Sequence, residues 1–258
     1  MLDDKRIIIT GVGTGLGKEV VRQCLEDGAS VTIGARSLAN LEAVAAELDP
    51  SGERVEVVTT DISKVEDCNA IVARAKARFG GVDGLVQVAA YEMAWGGVAD
   101  ADFTHWRRAF DINVIACMEL VRAVRPAMLA GGGGSVVLIG SQSMYEEQLP
   151  QMGYSASKGA LQSAMYYLAK DLGPENIRVN MVVPSWMWGP PVQSYVAMLA
   201  KGENVPEDVI VGRITNKIPL GRIVPDEDVA NAVVFFVSDR ARMISGQTLM
   251  VNGAEKVR

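Results

Sequence analysis

Histidine is nearly absent from this chain: His105 is the only one in 258 residues. That excludes a His-rich metal centre and leaves a Ser-His-Asp triad a single possible base. No triad partner stands at a matching spacing, so His105 reads as a structural or surface residue. Cysteine is scarce too. Cys24, Cys68 and Cys117 are odd in number, widely spaced and without a CxxC pair. Neither a disulfide framework nor a zinc ribbon is encoded, and a reducing compartment, the cytoplasm, is expected. Long apolar runs are missing: nothing approaches the ~18 apolar residues that a membrane span needs. The opening MLDDKRIIITG carries Asp3 and Asp4 and runs straight into a strand-like stretch, so no signal peptide is expected. Concentrated positive charge is lacking as well. The net charge is −6, and the densest basic pair is Arg107-Arg108. A nucleic-acid partner is therefore not expected. What remains is ordinary globular composition, 49% hydrophobic and 22% charged, in a chain long enough to bury a core without staples.

Apolar, β-branched runs alternate with helical patterns. The expected strands are Ile7–Thr10, Val31–Gly34, Val55–Thr59, Leu85–Val88, Val136–Ile139, Val179–Val183 and Thr248–Val251. This alternation reads as an α/β fold with a doubly wound, parallel, seven-stranded sheet of Rossmann type and helices on both faces. The strands are apolar throughout, as strands buried on both faces should be. No break in composition divides the chain, so residues 1–258 are expected to form one domain. Gly131–Gly134 reads as a helix terminator before the fifth strand. Residues 184–219, rich in Trp, Met and Pro, interrupt the alternation after the sixth strand. Ligands in such folds sit beyond the carboxyl ends of the strands, so this insertion is expected to be a substrate-binding lid; the alternative is an excursion of surface helices.

Two motifs carry chemistry. Thr10-Gly11-Val12-Gly13-Thr14-Gly15-Leu16-Gly17 follows the first strand and opens a helix. The pattern is TGxxxGxG, a tight turn whose backbone approaches a pyrophosphate at a helix N-terminus. At the end of the second strand an acid would hold a free ribose 2′-hydroxyl and an Arg a 2′-phosphate. Gly34-Ala35-Arg36-Ser37 has no acid, which favours a phosphate over a solvated loop arginine. The second motif is Tyr154-x-x-x-Lys158, with both side chains on one helical face. An ammonium near the phenol should stabilise tyrosinate and lower the tyrosine pKa, making the pair an acid or base for an alcohol/carbonyl couple. Ser141, thirteen residues before Tyr154 and at the end of the fifth strand, can point a hydroxyl at the substrate oxygen. Asn113 sits inside a long helix, where Asn is a mediocre choice. Holding a water that relays protons to Lys158 would account for it.

Together these motifs resemble the short-chain dehydrogenase/reductase family, in its TGxxxGxG and YxxxK branch, over essentially the whole chain. The resemblance implies that Asn113, Ser141, Tyr154 and Lys158 are the catalytic residues. It implies cofactor contacts from Gly11, Thr14, Gly15, Leu16 and Gly17 in the turn and from Arg36 and Ser37 after the second strand. Asp61 and Ile62 would lie near the adenine. Ala89, Tyr154, Lys158, Pro184 and Met187 would complete the cofactor site. Some positions depart from the family pattern: Asn-Asn-Ala-Gly is here Gln87-Val88-Ala89-Ala90, Pro-Gly is Pro184-Ser185, a later Thr is Gly189, and Thr14 stands where many NADP-binding members carry a base. The catalytic four are intact.

Position after strands four to six places Tyr91, Met93, Trp95, Ser143, Met144, Gln148, Trp186, Met187 and Trp188 at the substrate, with Tyr195, Met198 and Leu199 from the lid. Aromatics and Met make adaptable apolar walls. Glu92 either orients a polar end of the substrate or stands on the rim. The function expected is an NADP(H)-dependent oxidoreductase, with NAD(H) possible, interconverting a secondary alcohol and a ketone on a bulky apolar, cyclic substrate. The alternatives are an NAD-dependent dehydrogenase of a ring alcohol or diol, a non-catalytic nicotinamide-binding sensor and a methyltransferase. The last two have no need of Ser141, Tyr154 and Lys158 together. No metal is expected, and the family implies a homotetramer.

Overall fold

The structure is a computed structural model and describes residues 1–147 and 149–257. Seven parallel strands form one sheet in the order β3-β2-β1-β4-β5-β6-β7. They are β1 (Arg6–Thr10), β2 (Ser30–Ala35), β3 (Val55–Thr59), β4 (Gly84–Gln87), β5 (Gly134–Ile139), β6 (Ile177–Pro184) and β7 (Thr248–Val251). Every expected strand is present, shifted by no more than two residues at either end. The strand order reverses between β1 and β4, which opens a crevice beyond their carboxyl ends.

Alternation along each strand divides the core in two. Ile7 and Ile9 of β1 and Val137 and Ile139 of β5 pack with α1 (Leu16–Glu26), α2 (Leu38–Leu48) and α9 (Asp226–Val237). Ile8, Val136 and Leu138 face the other way, onto α3 (Val65–Phe79), α5 (Ala116–Ala130) and α6 (Met152–Leu172). Both faces are thus dry, as purely parallel strands require. At the end of the sheet away from the crevice, Arg6 Nε and a terminal nitrogen each donate to the Asp83 carboxylate at 2.7 Å. Gly131 caps α5, and Gly132 and Gly133 take left-handed φ values of 89° and 138°. The terminator expected at Gly131–Gly134 is there, with Gly134 already in β5.

Strand register aligns the crevice. Thr10 pairs with Gly34 on one side and Gln87 on the other, and Gln87 pairs with Leu138. Gly11, Arg36, Ala89, Ser141 and the exit of β6 therefore leave the sheet at one edge. The segment expected as a lid folds as two helices, α7 (Pro190–Glu203) and α8 (Glu207–Thr215). They share a small core of Val196, Ala200, Ile210 and Ile214, with Trp186 packed against it. Between α4 (Phe103–Phe110) and α5 the helical path widens into a single π-helical turn, Asp111–Ile115, with Asn113 at its centre. Such turns cost regular hydrogen bonding and concentrate at functional sites.

Candidate active site

One cavity of about 900 Å³ runs from the glycine turn to α6. At the first end the glycines are there for closeness. Gly11 has φ +80°, and a Cβ on it would lie 2.2 Å from the Ala89 amide nitrogen. A Cβ on Gly17 would lie 2.6 Å from the Gly11 carbonyl oxygen. Gly15 caps α1 without any side-chain hydrogen bond, so the helix's first amides stay open to a ligand. Such a bare turn at a helix N-terminus fits a pyrophosphate. Every residue expected at the cofactor lines this cavity: Gly11, Thr14, Gly15, Leu16, Gly17, Arg36, Ser37, Asp61, Ile62, Ala89, Tyr154, Lys158, Pro184 and Met187. Arg36 forms no ion pair among the described residues, and Ser37 Oγ caps α2 by accepting from the Asn40 amide at 3.4 Å. The Asp61 carboxyl is held below its ordinary range by the Ser63 hydroxyl first, with the charge of Arg36 adding to the effect.

At the other end α6 presents Tyr154 and Lys158. Lys158 is 3% exposed; its ammonium donates to the Ile139 carbonyl at 2.7 Å and lies 5.7 Å from the Tyr154 ring centroid. Ser141, at the exit of β5, shares a 2.9 Å hydrogen bond with Ser143 Oγ. It lines the same cavity as Tyr154, and its hydroxyl acts to lower the pKa of the phenol. Asn113, 1% exposed, makes three hydrogen bonds: Oδ1 accepts from the Tyr91 amide at 2.7 Å, and Nδ2 donates to the Tyr91 carbonyl and to Ser157 Oγ, both at 2.9 Å. Ser157 Oγ in turn donates to the Tyr154 carbonyl at 2.7 Å. The chain leaving β4 is in this way tied to the helix that carries Tyr154.

Comparison with known proteins decides the family. Residues 11–253 match the family model described as Enoyl-(Acyl carrier protein) reductase. The chain is 32% identical over 253 residues to dehydrogenase/reductase SDR family member 4 of Mus musculus, covering 98% of this chain and 87% of the relative. It is 31% identical over 254 residues to 7alpha-hydroxysteroid dehydrogenase of Escherichia coli, covering 98% and 94%. An actinorhodin polyketide ketoreductase solved with NADPH superposes with a TM-score of 0.90 at 28% identity, covering 99% of each chain. The chain belongs to the short-chain dehydrogenase/reductase family.

This short-chain dehydrogenase/reductase is thus an NAD(P)-dependent oxidoreductase of known fold, and its own side chains correct several expectations. The phenol of Tyr154 is not pulled toward tyrosinate. Burial raises its pKa, the Glu92 carboxylate raises it further, and the Ser141 hydroxyl opposes them. Burial also lowers the pKa of Lys158. For the phenol, desolvation and the facing Glu92 carboxylate dominate, while the Lys158 ammonium donates to the Ile139 carbonyl. Both Nδ2 protons of Asn113 are committed to Tyr91 and Ser157, so a relaying water could meet this side chain only at Oδ1. Trp95, Ser143, Trp186 and Met198 line the cavity as expected, with Trp186 stacked on Tyr195 at 5.7 Å. Met93 does not line it; its side chain is 57% exposed on the outer surface. Met144 packs under Gly140 in the core, because the short turn Gln142–Met144 points Ser143, not Met144, into the crevice. Trp188 lines a separate hollow between the glycine turn and α8, since its amide is held by the Val224 carbonyl at 3.2 Å. Gln148 lies outside the described residues.

Some site residues escaped the sequence. Asn40, Arg108 and Asp226 also line the cavity. His105 bonds the Tyr91 hydroxyl and stacks on its ring at 5.9 Å, so the one histidine braces the crevice wall. Gln87, where the family has Asn, donates to the Cys117 sulfur at 3.0 Å. The three cysteines are free, and burial pushes the Cys117 thiol up to about 12. Among the described residues no helix is long and apolar enough to cross a membrane.

Proposed function

We propose that the protein interconverts a secondary alcohol and a ketone on a bulky, apolar, cyclic substrate, with NADP(H) as the preferred cofactor and Tyr154 as the general acid/base. The observation that carries this reading is that Ser141, Tyr154 and Lys158 line one end of a cavity whose other end is the bare glycine turn. When bound, the nicotinamide dinucleotide supplies or takes up the hydride. In the reducing direction Tyr154 donates the proton to the carbonyl oxygen, and its raised pKa keeps that proton in place at neutral pH. Ser141 donates to the same oxygen as negative charge builds on it. Lys158, fixed by Ile139, holds its ammonium below the phenol and steadies the tyrosinate left after transfer.

Ala35 and Arg36 support NADP(H). No carboxylate repels a 2′-phosphate there, and an unpaired guanidinium fork suits its oxygens. The NAD-dependent alternative draws support from Asp61, whose carboxylate sits close enough to be influenced by Arg36. Trp95, Trp186, Tyr195 and Met198 favour a large apolar substrate, and a related protein acts, by its name, on a hydroxysteroid. Residues 184–219 would close over that substrate as a lid. A homotetramer is proposed on the exposed Phe103, Ile115, Leu129, Tyr166 and Tyr167 of α4 to α6 and their flank, and a cytoplasmic site on the free thiols. The test is loss of reduced-nicotinamide absorbance with a panel of ketones, run with NADPH and NADH. Turnover of bulky cyclic ketones above small ones is expected; no turnover with any ketone or alcohol would overturn the reading.

A further inference from the structure

We infer that Asp226 is a further residue of the dinucleotide site, and that the cofactor's pyrophosphate binds there together with a proton taken up by the Asp226 carboxyl. This rests on the proposed function only in that a dinucleotide occupies the glycine turn. Helix α9 packs across α1 and brings its first residue to that turn. A Cβ on Gly15 would stand 3.3 Å from Asp226 Oδ2, and one on Gly189 4.0 Å from it. Gly189 is the position where the family carries a threonine, so a hydroxyl that could have donated to this carboxylate is absent. Asp226 Oδ1 is buried and, among the described residues, has no hydrogen-bond partner. It lines the same cavity as Gly11–Gly17.

The charges around it do not compensate. Glu19 of α1 and the adjacent Glu227 both push the Asp226 carboxyl further up, after burial itself. Asp208 of α8 lines the neighbouring hollow. The cations that line that hollow are engaged elsewhere: Lys18 donates to Glu47 at 2.8 Å, and Arg222 lies 4.0 Å from Asp228. The N-terminus of α9 favours an anion, but Glu227 and Asp228 share that same first turn. A buried acceptor without a donor is unfavourable. A pyrophosphate brought to Gly15 makes matters worse, because it offers only acceptors and negative charge. A neutral carboxyl resolves both problems: its O–H donates to a phosphate oxygen. One proton leaves solvent and joins Asp226, and no other bond changes.

The test is the pH dependence of dinucleotide binding, measured with NADH and with ADP-ribose in EDTA. Neither probe carries a 2′-phosphate, whose own titration near pH ~6 would confuse the reading. Calorimetry in two buffers of different ionisation enthalpy counts the protons. The wild-type protein is expected to take up about one proton and to lose affinity by up to about tenfold per pH unit above the Asp226 pKa. Asp226→Asn and Asp226→Ser are expected to bind with a flat profile and no proton uptake. An equal slope in the variants, a flat wild-type profile, or affinity that depends on added Mg²⁺ would overturn the inference. Failure of wild-type protein to bind any dinucleotide at any pH would instead remove the proposed function.

Discussion

Removing the Asn113 side chain should cost stability and turnover together. Asn113→Ala deletes hydrogen bonds to the Tyr91 amide, the Tyr91 carbonyl and Ser157 Oγ at 2.7 to 2.9 Å, all from a residue 1% exposed. Ser157 keeps its bond to the Tyr154 carbonyl, so its loss is partial. The Tyr91 amide and carbonyl are left without this partner, at about 1–3 kcal/mol for each group that stays dry. A total near 3 kcal/mol follows, or roughly 6–12 °C in melting temperature for a chain of this size. Asn113→Asp should be no better, since it keeps an acceptor for the Tyr91 amide but turns a second acceptor toward the Tyr91 carbonyl. Urea unfolding measures the first effect. Steady-state kinetics measure the second, and kcat should fall further than KM rises, because the lost tie runs to the helix holding Tyr154. A destabilisation under about 1 kcal/mol, or a change in KM alone, would refute the reasoning.

Arg36→Ala should weaken NADPH about tenfold or more and leave NADH nearly unchanged; equal weakening of both would place Arg36 against the adenine instead. Trp186→Ala should raise KM for bulky ketones by about tenfold and for small ones little, whereas Trp188→Ala, outside the cavity, should leave both alone. The pH profile of ketone reduction should hold up while Tyr154 keeps its proton and fall at alkaline pH. Glu92→Gln removes a charge that raises both the Tyr154 and Lys158 pKa values, so the alkaline limb should move to lower pH; a fixed limb or an upward shift contradicts the electrostatic account.

Strand positions and the order of motifs were legible because period and apolarity are local properties. Val55–Thr59 and Thr248–Val251 match to the residue, and all the cofactor residues read from the two motifs meet in one cavity. Side-chain direction outside regular elements was not legible. The segment after β6 looks like one continuous wall, yet the bridge between Met187 and Val224 pins it so that Trp186 faces the crevice and Trp188 the hollow behind. Met144 and Ser143 differ by one position in a tight turn, which a residue count cannot orient. The π turn at Asn113 answers to Tyr91 and Ser157, both remote in sequence. The titration of Tyr154 was misjudged for the same reason: the motif displays the lysine four residues away but not the depth of burial or the facing Glu92. Asp226 could not be associated with the glycine turn before α9 was seen to cross α1.

The central claim is that Tyr154 moves the proton, and Tyr154→Phe tests it most directly. The ring still packs on α6 while the phenol hydroxyl at the cavity is lost. Dinucleotide affinity, measured by fluorescence titration, should stay within about threefold of the wild type, while kcat for the best ketone should fall by about 10²–10⁴-fold. A variant that retains more than about a tenth of wild-type kcat, with its cofactor affinity intact, would contradict the assignment.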